Sequence, residues 1–205
     1  VGVGDQQRVE RLPETAVDLE TLEVLVDHGL TFTVLAPRQA SRIRLIGDEE
    51  WTDASGESVD PTTSYVQRLP SGRTIVLFFY DGPIAKGIAF EGLLSSGETL
   101  ATRLTGGFDD SRDWPQLVHI AVDGETFGHH HRFGDMALAY ALDYIESHGL
   151  ARITNYAEFL ELNQPTHEVD IFENSSWSCV HGVERWRSDC GCNTGGHLGW
   201  TPGWR

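Results

Sequence analysis

The stretch Leu117-Val-His-Ile-Ala-Val-Asp-Gly-Glu-Thr-Phe-Gly-His-His-His131 decides the predicted fold. Its first six residues, 117–122, are an apolar run rich in β-branched side chains, which predicts a buried strand. The run ends at two carboxylates, Asp123 and Glu125, and three histidines follow. A helical pattern begins at Asp135. A strand that delivers acids and histidines into a loop and returns by a helix is typical of active sites in α/β barrels.

Composition limits the classes of function. The chain has 205 residues, enough for one domain with a sizeable core, and a formal net charge of −16. This acidity argues against binding to nucleic acid or to an anionic membrane surface, because such binding depends on clustered Lys and Arg. No apolar run reaches the ~20 residues of a membrane span, and no signal peptide is evident. The three cysteines are an odd number and do not make a secreted disulfide framework, so we expect a cytoplasmic protein.

Three apolar runs predict strands at 30–37, 74–80 and 117–122, and helical patterns lie between and after them. Alternating strands and helices predict a parallel sheet. Two of the strands end directly in Asp-Gly, at Asp81 and Asp123, and polar residues at the carboxyl ends of parallel strands face the ligand. A turn role is the alternative for Asp81. The predicted helices cover 21–28, 84–94, 98–104, 135–148 and 153–162.

The organisation predicted from these patterns is α/β, with two regions. Residues 1–165 form a partial (β/α) barrel with a polar insertion at about 47–72, which is either irregular or a small hairpin. Residues 166–205 form an irregular segment rich in Trp and Cys that packs on the barrel. The chain starts at Val1 without a methionine and stops without a closing element, so we expect it to be truncated at both ends.

Three motifs resemble glycoside hydrolase family 57: Leu12-Pro-Glu14 before a helix, Val122-Asp-Gly-Glu-Thr-Phe-Gly-His129 at a strand end, and Ser175-Ser-Trp177. The chain looks like a C-terminal portion of that family's catalytic barrel. The resemblance implies an incomplete (β/α)7 barrel and an activity on α-glucans, as in amylases, 4-α-glucanotransferases and branching enzymes. Arg11 departs from the family pattern, which usually has tryptophan there, and the family's N-terminal His-Gln-Pro motif is absent.

The resemblance implies that Glu14 is the nucleophile and Asp123 the general acid/base of a retaining double displacement. Such enzymes hold two carboxyl groups about 5–5.5 Å apart, one attacking the anomeric carbon and one protonating the leaving oxygen. Burial or a neighbouring negative charge keeps the acid protonated. The alternative for Glu14 is a first-turn helix carboxylate, and for Asp123 a turn or cap residue.

Five further residues are candidates for substrate binding. They are Glu125, His129, His131, Trp177 and His181. The partner would be an α-glucan oligosaccharide or polysaccharide, and no cofactor is expected. Two alternatives stay open: a metal-dependent carbohydrate deacetylase or hydrolase that uses Asp123 and the histidines, and a non-catalytic glucan-binding barrel.

Cys179, His181, Cys190 and Cys192 are four potential zinc ligands. Structural zinc sites use Cys and His, but usually with two to four residues inside each ligand pair. A spacing of one fits that template poorly, so these residues are weak metal candidates. Small buried thiols in a glycine-rich loop are the alternative.

Overall fold

The computed structural model describes residues 12–192, which contain six strands and six α-helices. The strands are β1 (Phe32–Leu35), β2 (Ala40–Leu45), β3 (Thr52–Asp53), β4 (Ser64–Arg68), β5 (Thr74–Phe79) and β6 (His167–Ile171). The helices are α1 (Leu19–Asp27), α2 (Gly82–Phe90), α3 (Gly97–Thr105), α4 (Gly134–Ser147), α5 (Tyr156–Leu162) and α6 (Glu184–Arg187). None of these helices combines the length and the apolar character that crossing a bilayer requires.

The strands form one open, mixed sheet in the order β1-β5-β4-β6-β2-β3. Only β1–β5 and β4–β6 are parallel pairs, whereas β4–β5, β2–β6 and β2–β3 are antiparallel. The α/β class is confirmed, but the predicted parallel sheet is wrong, and residues 12–192 do not close into a barrel. The reason lies in the connections: β4 and β5 are joined by a tight turn in which Leu69 N donates to Arg73 O at 2.9 Å, and such a turn joins only antiparallel strands.

The predicted insertion at 47–72 is part of this sheet. It contributes β3 and β4, and β4 forms the hairpin with β5. β6 was not predicted, and it lies in the middle of the sheet between β4 and β2, so the sheet runs across the predicted boundary at residue 165. The buried Glu168 carboxylate on β6 is paired with Arg44 at 2.6 Å and with Arg68. Cross-strand ion pairs compensate the charges of β6, so this strand can be buried although it lacks the apolar pattern that identifies a buried strand.

Residues 117–122 do not form the predicted strand. The segment has no regular secondary structure, and its backbone reaches the neighbouring chain through Leu117 N to Thr62 O at 2.8 Å and Asp81 N to His119 O at 2.9 Å. Its side chains nevertheless alternate: Val118, Ile120 and Val122 pack with helices α2, α3 and α4, and Leu117 packs with the sheet. This two-sided packing explains why the sequence reads as a strand.

The other predicted elements are confirmed with small shifts. β1 and β5 occupy the predicted strands at 30–37 and 74–80, and they lie side by side. α1 begins after Asp18, whose carboxylate accepts a hydrogen bond from Thr21 N at 2.8 Å. The buried face of α4 is carried by Ala137, Ala141 and Ile145. The small alanines allow α3 to pack closely against α4.

The sheet separates two apolar cores. Leu35, Ile75, Leu77 and Phe79 face the core that includes α1, whereas alternate side chains of β1 and β5 face the core that includes α5. β5 is therefore buried on both faces, which explains its nearly continuous apolar sequence. A third core joins α2, α3 and α4. The parallel strands β1 and β5 end at the same edge of the sheet, and the candidate site lies there.

Candidate active site

Glu14 lies in a one-turn 3₁₀ helix, Pro13–Thr15, in an unusual backbone conformation. Glu14 and Thr15 have φ values of 55° and 49°, in the left-handed region that side chains rarely adopt. Such residues cost about 1–3 kcal/mol each and persist only where the surrounding structure enforces them. The enforcing contacts start at Thr15, which is completely buried although Glu14 itself is exposed.

Gln39 holds this turn in place. Its side chain is completely buried and accepts hydrogen bonds from Thr15 Oγ1 and Ala36 N, both at 2.8 Å. Its amide nitrogen donates to Thr15 O at 2.8 Å and to Ser175 Oγ at 3.0 Å. Gln39 therefore connects the Glu14 turn to the end of β1 and to the segment before Trp177. Gln39 was not predicted from the sequence, because a buried glutamine has no recognisable pattern of its own.

Trp177 fixes the Glu14 side chain from the opposite side. Its indole Nε1 donates to Glu14 Oε2 at 2.9 Å, and its backbone N donates to Glu14 O at 3.0 Å. Arg38 holds the preceding residue, since its guanidinium donates to Ser176 O at 2.8 and 3.2 Å. Tyr80 meets the Trp177 ring edge-on, with 6.1 Å between the centroids. Two motifs singled out in the sequence, around Glu14 and Trp177, are thus in direct contact.

Asp123 and Glu14 line the same cleft. Asp123 follows the 117–122 segment and precedes the 3₁₀ turn Gly124–Thr126, and its side chain is exposed. The cleft has a volume of about 1160 Å³, and Trp177 also lines it. The structure therefore brings together the two carboxylates and the tryptophan that the sequence analysis selected from three distant motifs.

The remaining cleft wall mixes charged and aromatic side chains. Phe90 is 83% exposed at the end of α2, and Lys86 forms an ion pair with Glu91 at 2.8 Å. Neither Phe90 nor Tyr80 was identified from the sequence, because aromatic residues in an apolar run resemble core residues. The other charged side chains of the wall are Arg38, Glu57, Arg103 and Arg185.

The three histidines are divided between two surroundings. His130 and His131 line the cleft, and His131 Nε2 donates to Ala89 O at 2.9 Å. His129 and Glu125 are exposed and lie outside the cleft lining. The Glu125 carbonyl accepts from the backbone N–H groups of His129 and His130, at 3.1 and 2.9 Å. Within residues 12–192, Asp123 and the histidines do not form a group of converging metal ligands.

Asp81 has a structural role. Its carboxylate accepts a hydrogen bond from Ile84 N at 2.8 Å and so caps the N-terminus of α2. His119, in contrast, is a buried residue that the sequence analysis did not select. Its Nε2 donates to Pro61 O at 3.1 Å, so its Nδ1 accepts from Tyr156 Oη at 3.0 Å. Burial lowers the pKa of His119 to about 4, which keeps the ring neutral.

His181 lies with the three cysteines. The ligand atoms of Cys179, His181, Cys190 and Cys192 all lie within 4.8 Å of one another. Burial raises the pKa of the Cys179 thiol, but hydrogen bonds with His181, Cys192 and Cys190 outweigh it and lower that pKa to about 7. The contact with Cys179 raises the pKa of Cys192 to about 11. One thiol therefore ionises readily and opposes ionisation of the next.

The profile of glycosyl hydrolase family 57 matches residues 3–171. No curated protein matches the sequence. The fold is similar to an exo-type maltose-forming amylase from Pyrococcus sp. ST04, with a TM-score of 0.65 and 19% identity over 90% of this chain and 32% of the amylase. It is also similar to 4-α-glucanotransferase from Thermococcus litoralis, with a TM-score of 0.61 and 19% identity over 85% of this chain and 25% of that enzyme.

Proposed function

The chain belongs to glycosyl hydrolase family 57, and from this we propose that the protein hydrolyses or transfers glucosyl units of α-glucans by a retaining mechanism. The chain spans about a third of the amylase and a quarter of the glucanotransferase to which its fold is similar. The observation that carries the proposal is therefore one of this chain's own: Glu14 and Asp123 line one cleft.

The size and the walls of the cleft suit an oligosaccharide. Its volume of about 1160 Å³ exceeds the about 300–1,000 Å³ of ordinary small-molecule sites, so it has room for several sugar rings. Trp177, Tyr80 and Phe90 offer aromatic surface against which sugar rings can pack, and the charged groups of the wall can bind hydroxyl groups.

In the proposed mechanism Glu14 attacks the anomeric carbon while Asp123 donates a proton to the departing glycosidic oxygen. A covalent glucosyl ester on Glu14 results. Asp123, now a carboxylate, then removes a proton from water or from the hydroxyl group of a second glucan, which attacks the anomeric carbon and releases Glu14. Water gives hydrolysis and the second glucan gives transfer. The hydrogen bond from Trp177 Nε1 holds the Glu14 carboxylate in one orientation throughout.

The described residues give less support to the alternatives. A metal-dependent deacetylase needs Asp123 and histidines as converging ligands, and that group is not formed in residues 12–192. One histidine nitrogen, His131 Nε2, is already bonded to Ala89 O. A glucan-binding protein without catalysis would have no need of the strained turn at Glu14, which the buried Gln39 maintains at a cost.

Activity of variants on amylose and on maltooligosaccharides tests the proposal. Glu14→Gln and Asp123→Asn keep the size of each side chain but remove the carboxylate, and we expect each to lower kcat by about a thousandfold or more. Glu20→Gln on the exposed face of α1 and Asp110→Asn in an exposed loop are the matched controls, and both should retain activity.

Each competing function predicts another result. A metal-dependent enzyme that uses Asp123 and the histidines would retain its activity in Glu14→Gln. A binding protein would retain α-glucan without turnover, and its affinity would not depend on Glu14.

A further inference from the structure

Four side chains converge at the C-terminal end of the described chain, outside the cleft lining. The Cys179 Sγ atom lies 3.6 Å from Cys192 Sγ and 3.8 Å from Cys190 Sγ. The His181 Nδ1 atom lies 3.2 Å from Cys192 Sγ and 3.8 Å from Cys179 Sγ. Within the described chain this is the one group of three or more Cys, His, Asp or Glu side chains whose ligand atoms converge in this way.

These separations can be compared with those around a metal ion. Zinc binds thiolates at about 2.3 Å and imidazole at about 2.0–2.1 Å in a tetrahedron, which places two sulfurs about 3.8 Å apart and a sulfur about 3.5 Å from the nitrogen. The observed distances lie around these values. A disulfide requires sulfurs about 2.05 Å apart, so the cluster has the dimensions of a metal site rather than of a cross-link.

The backbone explains how ligand pairs with a spacing of one can work. Gly182 and Gly191 have φ values of 60° and 80°, which turn the chain back beside His181 and between Cys190 and Cys192. Gly182 N donates to Cys179 O at 2.9 Å and closes the first turn. A Cβ at Gly182 would lie 1.9 Å from Asn174 O, so only glycine fits there.

We propose that Cys179, His181, Cys190 and Cys192 bind one Zn²⁺ ion in a structural site. Four protein ligands leave no open position on the metal, which is typical of structural rather than catalytic zinc. The soft thiolates select Zn²⁺ over Mg²⁺ or Ca²⁺. A divalent cation also removes the repulsion that prevents several neighbouring thiols from ionising together.

The position of the site gives the metal a role. The ligands enclose α6 and begin two residues after Trp177, whose indole contacts Glu14. An ion there would close the 179–192 loop and stabilise the segment that carries Trp177 and Arg185 to the cleft. The importance of this stabilisation for the cleft rests on the proposed function, whereas the binding of zinc does not.

Metal analysis of the purified, untagged protein tests the site without any activity measurement. We expect inductively coupled plasma mass spectrometry to find one zinc ion per chain. After removal of zinc by a chelator, Co²⁺ should produce the thiolate charge-transfer and visible bands of a tetrahedral thiolate site, and Zn²⁺ should abolish them. Joint replacement Cys190→Ser and Cys192→Ser should remove both signals, whereas the control His28→Asn, which replaces an exposed histidine directly after α1, should keep them.

The thiols of the wild-type protein provide a second measurement that does not rely on folding of the variant. All three should be protected from a thiol reagent in the zinc-loaded protein and become reactive after chelation. The proposal is overturned if the protein contains no zinc and gives no thiolate–cobalt band. It is equally overturned if two of the cysteines prove to be joined in a disulfide, or if a correctly folded double variant binds zinc as the wild type does.

Discussion

At the scale of single residues, the Glu14 turn shows how the candidate site is built. Its left-handed backbone depends on Gln39 below it and on Trp177 beside it. Glu14 and Trp177 could be selected from the sequence because they occur in short motifs. Gln39 could not, because its importance comes from two backbone groups, Thr15 O and Ala36 N, that become its partners only after folding.

The contact between Trp177 and Glu14 gives a prediction about catalysis. Trp177→Phe keeps an aromatic ring in the cleft but removes the donor to Glu14 Oε2. A hydrogen bond to a charged group contributes about 1.5–3 kcal/mol, so we expect kcat/KM on maltooligosaccharides to fall about ten- to hundredfold. The control is Trp186→Phe in α6, which lies outside the cleft lining and should change kcat/KM little. Equal losses in both variants would show that the tryptophan effect is one of general stability.

At the scale of secondary-structure elements, buried apolar runs were predictable and compensated charges were not. β1, β5 and five of the helices follow from apolar spacing and from caps such as Asp18. β6 was missed because Glu168 is buried with Arg44 and Arg68 as its partners. Residues 117–122 were wrongly predicted as a strand because their side chains alternate between two cores, although few backbone hydrogen bonds hold the segment.

His119 anchors this segment through side-chain contacts, and this gives a prediction about pH. Its pKa is about 4 in the folded protein and about 6.5 in an unfolded chain. As the pH falls below about 6.5, His119 becomes protonated in the unfolded chain, whereas in the folded protein it stays neutral until about pH 4. The free energy of unfolding therefore decreases through this range, by at most about 3 kcal/mol from this residue.

Urea unfolding between pH 7 and pH 4 measures this contribution. His119→Gln keeps an N–H donor for Pro61 O but does not titrate, so its free energy of unfolding should depend less on pH than that of the wild type. His148→Gln, at an exposed position after α4, is the control and should retain the wild-type dependence. An unchanged slope in His119→Gln would show that the ring is not the titrating group.

At the scale of the whole molecule, the order of the strands in the sheet could not be predicted from the sequence. The helices and apolar runs correctly predicted an α/β protein, but the antiparallel neighbours of β4 and β2 arise from a tight hairpin and from the late return of β6. The resemblance to glycoside hydrolases could be found in the sequence, because it depends on short motifs. In the structure, residues of these motifs line the cleft. The convergence of the three cysteines and His181 was underestimated, since one-residue spacing is unusual and the enabling turns at Gly182 and Gly191 emerge only in three dimensions.

The most direct test of the roles of Glu14 and Asp123 is the anomeric configuration of the maltosyl azide that two variants form from an activated α-maltoside and sodium azide. Glu14→Gly opens the space of the nucleophile, so azide should enter from the opposite face of the sugar and give the β-azide. Asp123→Gly still forms the covalent intermediate, so azide should give the α-azide. These two products of opposite configuration are the predicted result. An α-azide from Glu14→Gly, or the same product from both variants, would contradict the assignment of Glu14 as nucleophile and Asp123 as acid/base.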